Sequence, residues 1–235
     1  MSQLFVSGSG TGIGKTRVTC LLVQQLRAAG KEVRALKPVI SGYDPDAIEE
    51  SDTGLLLSAM GENLDEAAIG SISPWRFAEP LSPDMAAARE ARRLDVGEIV
   101  GFCRYAGPAE GDAVVIAEGV GGVMVPLSDE ETVIDWMTAL NWPVVLVAGS
   151  YLGTLSHTLT AIEAVRYRGL TLSGIVMSES EESPVPLVET VETIARFVSD
   201  TPVIGLPRHD VEQTNIGDLP NIAEALGLIS ERSEA

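Results

Sequence analysis

Residues 8–16, Gly-Ser-Gly-Thr-Gly-Ile-Gly-Lys-Thr, follow the apolar run Leu4-Phe5-Val6 and precede a stretch with helical apolar spacing over residues 17–26. A strand, a glycine-rich turn and a Gly-Lys-Thr opening a helix are the context of a phosphate-binding loop. Glycines let the backbone curl so that several N–H groups point inward, and the helix N-terminus adds the positive end of its dipole. The lysine meets the outer phosphates and the threonine hydroxyl can ligate Mg²⁺. The usual spelling places a glycine five positions before Gly14, where this chain has Ser9; Gly8 is the nearest outer glycine and makes the loop one residue longer. A glycine-rich turn capping an ordinary helix would use some of these residues, but Gly14-Lys15-Thr16 after a first strand favours nucleotide binding.

The rest of the composition bounds what such a loop can serve. At 235 residues the chain fits one α/β domain, and we expect a single domain over residues 1–235. No stretch approaches the roughly 20 uninterrupted apolar residues needed to cross a bilayer. The first residues lack a basic-then-apolar signal, so the expectation is a cytoplasmic protein with no membrane partner. A net charge of −18 argues against a nucleic-acid partner. Cys20 and Cys103 have no metal or redox spacing and, with only His157 and His209 beside them, make a zinc site a poor fit. The chain carries thirteen arginines but only three lysines, Lys15, Lys31 and Lys37. Lysine is a compact charge whose pKa can be moved, so a site that retains it uses that difference.

Residues 33–36 read as a second strand, running into Lys37-Pro38-Val39-Ile40-Ser41-Gly42, and the interval from the first strand fits a strand–helix–strand crossover in a parallel sheet. Ligands gather beyond the carboxyl ends of such strands, which is where connectivity places Lys37 and Ser41. A solvated strand-end lysine is the ordinary occupant of that position; the proline that follows and the scarcity of lysine favour function. Residues 43–53 are acidic and turn-rich, and at Asp52 spacing alone favours helix capping. Residues 71–83, with Pro74, Pro80 and Pro83, read as an extended loop anchored by Trp75 and Phe77. Helices are expected over 85–93 and 96–105.

Residues 113–117 are a continuous apolar run ending in Glu118-Gly119-Val120-Gly121-Gly122, the pattern of a strand buried on both faces and closed by a carboxylate. An ionised carboxylate there needs a cation or hydrogen bonds, and Mg²⁺ shared with Thr16 would supply one; capping a neighbouring helix is the less favoured alternative. Further helices are expected over 132–140, 154–168, 186–198 and 221–226, and strands over 143–148, 172–177 and 202–207. The fold class is therefore α/β, a doubly wound, mostly parallel sheet flanked by helices, of the P-loop nucleotide-hydrolase type. The turn Gly149-Ser150-Tyr151-Leu152-Gly153-Thr154 opens one of these helices and could hold an anion, although most such turns are merely capped. His157, one turn into that helix, is read as structural.

Taken in order, residues 8–16, Lys37-Pro38-Val39-Ile40-Ser41-Gly42, Ser51-Asp52, residues 77–83, residues 118–127 and Leu152-Gly153-Thr154 give the chain its resemblance, over essentially its whole length, to the dethiobiotin synthase family. The resemblance implies an ATP- and Mg²⁺-dependent ligase of biotin biosynthesis. CO₂ adds to an amine of 7,8-diaminononanoate, the carbamate takes the γ-phosphoryl group to form a carbamic–phosphoric anhydride, and the second amine closes the ring. It implies Lys37, Lys15 and Thr11 in catalysis. For the nucleotide it implies Gly12, Ile13, Gly14, Lys15, Thr16, Arg17, Asp52, Glu118, Gly119, Val120 and Gly121, with Ser178, Pro207, Arg208 and His209 near the base. Thr16, Asp52 and Glu118 would hold Mg²⁺, and Ser41 would contact the substrate. The family is homodimeric with a substrate tail that reaches the partner subunit, which implies Gly153 and Thr154 at the distant carboxylate.

Two departures stand out. The family loop often reads Thr-Asp-Thr-Glu-Val-Gly-Lys-Thr, and Gly10 and Gly12 replace both acids. Ser178 stands where the family has an adenine-reading Asn and offers fewer donor and acceptor sites, which leaves ATP and other nucleoside triphosphates open. Another synthetase or amidotransferase-like enzyme of the same loop class, or a nucleotide-dependent positioning switch, is the alternative; Ser9 and the strong negative charge weigh against a switch.

Overall fold

The computed structural model describes residues 2–106, 113–208 and 215–230. Its centre is set by the most apolar strands. β1 (Ser2–Gly8), β5 (Val114–Glu118) and β6 (Val144–Gly149) are buried along nearly their whole length, as strands covered by helices on both faces must be. With β2 (Val33–Leu36), β7 (Leu172–Ser178) and β8 (Val203–Leu206) they form a six-stranded sheet in the order β2-β5-β1-β6-β7-β8. Every pairing in it is parallel. The parallel α/β sheet read from the sequence is observed.

Parallel pairing needs a crossover between strands, and the helices supply it. α1 (Lys15–Ala28) buries Val18, Leu21, Leu22 and Leu26, one apolar stripe at helical spacing, against the sheet. α2 (Asp52–Met60), α3 (Glu66–Ile72), α4 (Pro83–Arg89) and α5 (Val96–Tyr105) follow between β2 and β5. α6 (Val133–Leu140) brings Trp136 edge-on to Phe5 of β1, with ring centroids 4.7 Å apart. α7 (Thr154–Tyr167), α8 (Leu187–Ala195) and the short α9 (Ile222–Ala225) complete the layers. Because all six strands run the same way, Gly8, Glu118, Gly149, Ser178 and Leu206 end on one edge of the sheet, as does Lys37 just past β2.

Two expectations are corrected here. The loop expected over residues 71–83 is regular at 71–72 and 75–77 and irregular over 78–82. α3 extends to Ile72, and Trp75–Phe77 (β4) pairs in parallel with Val39–Ser41 (β3) to make a second, two-stranded sheet. Three-residue strands show no readable period, and their pairing is non-local. The aromatics of β4 do act as anchors: Phe77 is buried beneath the Arg92 guanidinium, 4.5 Å from the ring centroid, and Trp75 meets Phe102 edge-on at 5.7 Å. The helix expected over 85–93 stops at Arg89, and Ala91 turns left-handed at φ 53°.

Candidate active site

Two glycines at the ends of the loop between β1 and α1 sit where a side chain would not fit. A Cβ on Gly8 would lie 2.7 Å from Ile13 Cδ1, which explains why the outer glycine is at position 8. Ser9 needs no such freedom; its N–H simply continues the sheet by donating to the Val147 carbonyl at 2.9 Å. Gly14 has φ +90°, and a Cβ there would sit 2.6 Å from Ser178 Oγ. The loop's turn and the end of β7 are thus pressed together. Lys15 Nζ donates to the Gly10 carbonyl at 2.9 Å, across the mouth of the loop.

Opposite this loop four side chains converge, from α1, α2, β5 and the turn after β2. Thr16 on α1 places its hydroxyl 2.8 Å from Asp52 Oδ1 and 2.7 Å from Glu118 Oε1. Lys37 Nζ donates to Glu118 Oε1 at 2.7 Å and to the Gly119 carbonyl at 3.0 Å, and pairs with Asp52 Oδ2 at 2.9 Å. Glu118 is fully buried and Lys37 is 2 % exposed, so neither charge would be tolerated without the other. Spacing alone favoured capping for Asp52, and the structure overturns that. Ser51 caps α2 by accepting from the Gly54 N–H at 3.0 Å, which leaves the Asp52 carboxylate to reach the cluster.

The titration behaviour follows from this packing. Burial, with the nearby Lys37 charge, lowers Lys15 to about 8, against the opposing pull of Glu118 and Asp52. Burial also works against the Lys37 ammonium, but the charges of Glu118 and then Asp52, each with a hydrogen bond, outweigh it and raise Lys37 well above the ordinary lysine value. For Asp52 burial acts upward, and the Lys37 charge and hydrogen bond, with that of Thr16, overcome it and hold the carboxyl below its usual range.

One cavity of about 270 Å³ is lined by Thr11, Gly12, Ile13, Gly14, Lys15, Thr16, Arg17, Lys37, Ile40, Ser41, Asp52, Val120 and Gly121. Nearly all the residues expected at the phosphate and substrate ends meet there, with Glu118 and Gly119 directly behind Lys37. Ser178 closes the loop's far side, and the Arg17 guanidinium donates to the Pro207 carbonyl. The Arg208 N–H donates to Glu179 at 2.7 Å. His209 lies outside the described residues. Gly153 and Thr154 are not in this cavity: the Thr154 hydroxyl donates to the Gly149 carbonyl at 2.6 Å, inside its own turn. His157 shares a 2.8 Å hydrogen bond with Tyr151, whose hydroxyl faces Gly10. Sequence reasoning missed Thr19, whose hydroxyl lies 2.6 Å from Glu118 Oε2; its place one helical turn beyond Thr16 was the available signal.

The donor set fits Mg²⁺. The Thr16 hydroxyl and the Asp52 and Glu118 carboxylates converge as an all-oxygen donor set that would hold it. All three donors are hard oxygens, and among the described residues no group of three His, Cys, Asp or Glu side chains is placed to hold a metal. A cation held by one or two carboxylates, a hydroxyl and phosphate oxygens is the usual mode for Mg²⁺.

The profile of a family described as an AAA domain matches residues 2–215. The ATP-dependent dethiobiotin synthetase BioD of Acidiphilium cryptum is 48% identical, over 86% of this chain and 91% of its own length. That of Methylobacterium nodulans is 50% identical, over 83% and 89%. The chain belongs to the dethiobiotin synthetase family. A member from Anaeromyxobacter dehalogenans is 39% identical over 97% of both chains. Among solved structures, a ParA family ATPase from Chlorobium tepidum has TM-score 0.50 at 13% identity, over 89% of this chain and 86% of its own. The septum site-determining protein MinD of Pyrococcus horikoshii has TM-score 0.52 at 14% identity, over 88% and 82%. These two share the fold of this chain.

Proposed function

We propose that this chain is an ATP-dependent ligase of biotin biosynthesis that converts 7,8-diaminononanoate and CO₂ to dethiobiotin, ADP and phosphate. The observation that supports it most is Lys37: a buried ammonium facing the phosphate loop and held by two carboxylates is suited to a reaction in which negative charge shifts between a carbamate and a phosphoryl group. An amine adds to CO₂ and loses a proton, giving a carbamate. A carbamate oxygen attacks the γ-phosphorus as ADP departs, and the second amine attacks the carbonyl carbon, loses a proton and expels phosphate.

Lys15 and the N–H groups of residues 12–16 cradle the outer phosphates, and Lys37 faces the carbamate across the same cavity. Ser41 and Thr11 orient the reacting end of the diamine. Thr16, Asp52 and Glu118 would hold Mg²⁺, whose bound charge offsets that of the phosphates. Positioning therefore accounts for most of the catalysis, with little covalent work for the protein. Ser178, Pro207, Arg208 and His209 flank the base.

Gly153 and Thr154 lie outside the cavity, and α7 opens beside Leu152, which is 85% exposed, and Leu155, at 38%. A homodimer in which Gly153 and Thr154 receive the tail of the substrate in the partner's site accounts for both features. No helix among the described residues is long and apolar enough to cross a membrane, and the reading places the enzyme in the cytoplasm.

The test is phosphate release with ATP, CTP and GTP in parallel, with dethiobiotin followed by mass spectrometry and mass in solution by light scattering. We expect release only when diamine, bicarbonate and Mg²⁺ are present together, and a mass of two chains. Rapid ATP hydrolysis without the diamine, or no dethiobiotin, overturns the reading.

A further inference from the structure

Glu118 has two carboxylate oxygens with different tasks. Oε1 accepts from Lys37 and lies 2.7 Å from the Thr16 hydroxyl, so it faces the cavity side of the cluster. Oε2 points back into α1 and meets the Thr19 hydroxyl at 2.6 Å. Thr19 is fully buried, as is Glu118, so no water substitutes for this contact. Its hydroxyl has a second acceptor within reach, the Lys15 carbonyl at 3.0 Å. That carbonyl lies four residues back along α1, where the Thr19 N–H of a regular helix already serves it, and the carboxylate contact is the shorter and is charge-assisted. The single hydroxyl proton therefore belongs to Glu118.

The helix geometry explains why this residue can do it. Thr19 lies three positions after Thr16 and four after Lys15, on the same face of α1. One helix face thus delivers the phosphate lysine, the metal-side hydroxyl and a clamp on the carboxylate. Without that clamp Oε2 would be a buried, unsatisfied carboxylate oxygen, and the carboxylate could rotate about its last bond away from Lys37 and Thr16.

We propose that Thr19 is a positioning residue of the synthetase site: its hydroxyl fixes the Glu118 carboxylate so that Oε1 is presented to the divalent cation and to Lys37. This rests on the function proposed above and extends it to a residue that touches neither substrate nor nucleotide.

The experiment compares Thr19→Val, which keeps the shape and removes the hydroxyl, with Thr19→Ser, which keeps the hydroxyl. Mn²⁺ binding to the ADP-loaded protein is followed by electron paramagnetic resonance, ADP binding in EDTA by calorimetry, and turnover by phosphate release. Thr19→Val is expected to weaken Mn²⁺ and lower turnover by about 10- to 100-fold, the usual effect of losing a partner behind a metal ligand. Thr19→Ser should stay within about threefold of the unsubstituted protein, and ADP binding in EDTA should not move, by the same argument. An unchanged Mn²⁺ affinity in Thr19→Val, or an equal loss in Val and Ser, overturns the proposal. If Thr19→Val does not fold, Thr19→Ala is read against Thr19→Ser, and equal Mn²⁺ affinity overturns it. Failure of the unsubstituted protein to form dethiobiotin refutes the function while leaving the Mn²⁺ comparison to decide the role of Thr19.

Discussion

α1 and α7 begin in nearly the same way. Each is a 14-residue helix that follows a buried parallel strand, opens on a left-handed glycine and lacks both a side-chain cap and an acid in its first turn. Gly14 has φ 90° and Gly153 φ 95°. As helix termini the two are almost interchangeable, and each leaves its first N–H groups to whatever lies in front. What lies in front differs. α2, β5 and the turn after β2 bring two carboxylates and a lysine to α1, whereas the Thr154 hydroxyl at α7 is bound within its own turn. Among the described residues, charged side chains from other elements meet the N-terminus of α1, while the α7 terminus is left for the substrate tail in the proposed dimer.

Removing one of those charges should collapse the difference. Lys37→Gln is expected to lower turnover by about 10²- to 10³-fold, the range for losing one electrostatic stabiliser, while ATP still binds. It should also lower unfolding stability by about 3–5 kcal/mol, because Glu118 is left buried with its charge uncompensated. Phosphate release, ATP calorimetry and urea melts measure these three effects; unchanged turnover would return Lys37 to a purely structural role.

Lys15 sharpens the comparison through pH. Its folded pKa of about 8 lies below its unfolded value, so below pH 8 the buried charge costs stability. As pH rises from about 8 towards 10.4 the unfolded chain binds more protons than the folded one, and the cost is relieved. Lys15→Met should therefore be more stable than the unsubstituted protein at pH 7, on the order of 2–3 kcal/mol, with the gap closing by about pH 10. Lys37 shifts the opposite way, and its contribution is retained until the pH passes its unfolded value. Urea melts at pH 7 and 9.5 separate the two, and an equal gap at both pH values would contradict the assignment.

The smallest effect isolates space from strain. Alanine at either opening glycine must adopt a left-handed backbone, at about 1–2 kcal/mol. At position 14 its Cβ would also meet Ser178 Oγ at 2.6 Å, while at 153 the nearest atom is His157 Cε1 at 3.7 Å. Gly14→Ala should lose more stability and weaken ATP binding, and Gly153→Ala should leave ATP binding intact. Equal thermal shifts would show that strain alone counts.

The contrast between the two helices was half visible in the sequence. Glycine placement and the apolar runs before them marked both turns, and the runs at 113–117 and 143–148 were long enough to identify the sheet's central strands. Lysine scarcity pointed to Lys37. Asp52 was masked because Ser51 and Asp52 are both good caps, and only the fold shows which one caps. β3 and β4 were hidden because three residues carry no period and their pairing spans some thirty-five positions. Thr19 was overlooked because a threonine on the buried face of a helix is unremarkable until the carboxylate from β5 is placed beside it.

The shortage of lysines also has a practical side. Arginine does not react with amine-directed acylating reagents under mild conditions, so apart from the α-amine only Lys15, Lys31 and Lys37 offer targets. Lys37 is held protonated by two carboxylates, and Lys31 lies in the turn between α1 and β2. With its pKa near 8, Lys15 is about half neutral at pH 8 and opens onto the cavity. A chemical footprint of this chain thus reduces to the ratio of two labelled peptides, one reporting occupancy of the phosphate loop and the other serving as its internal standard.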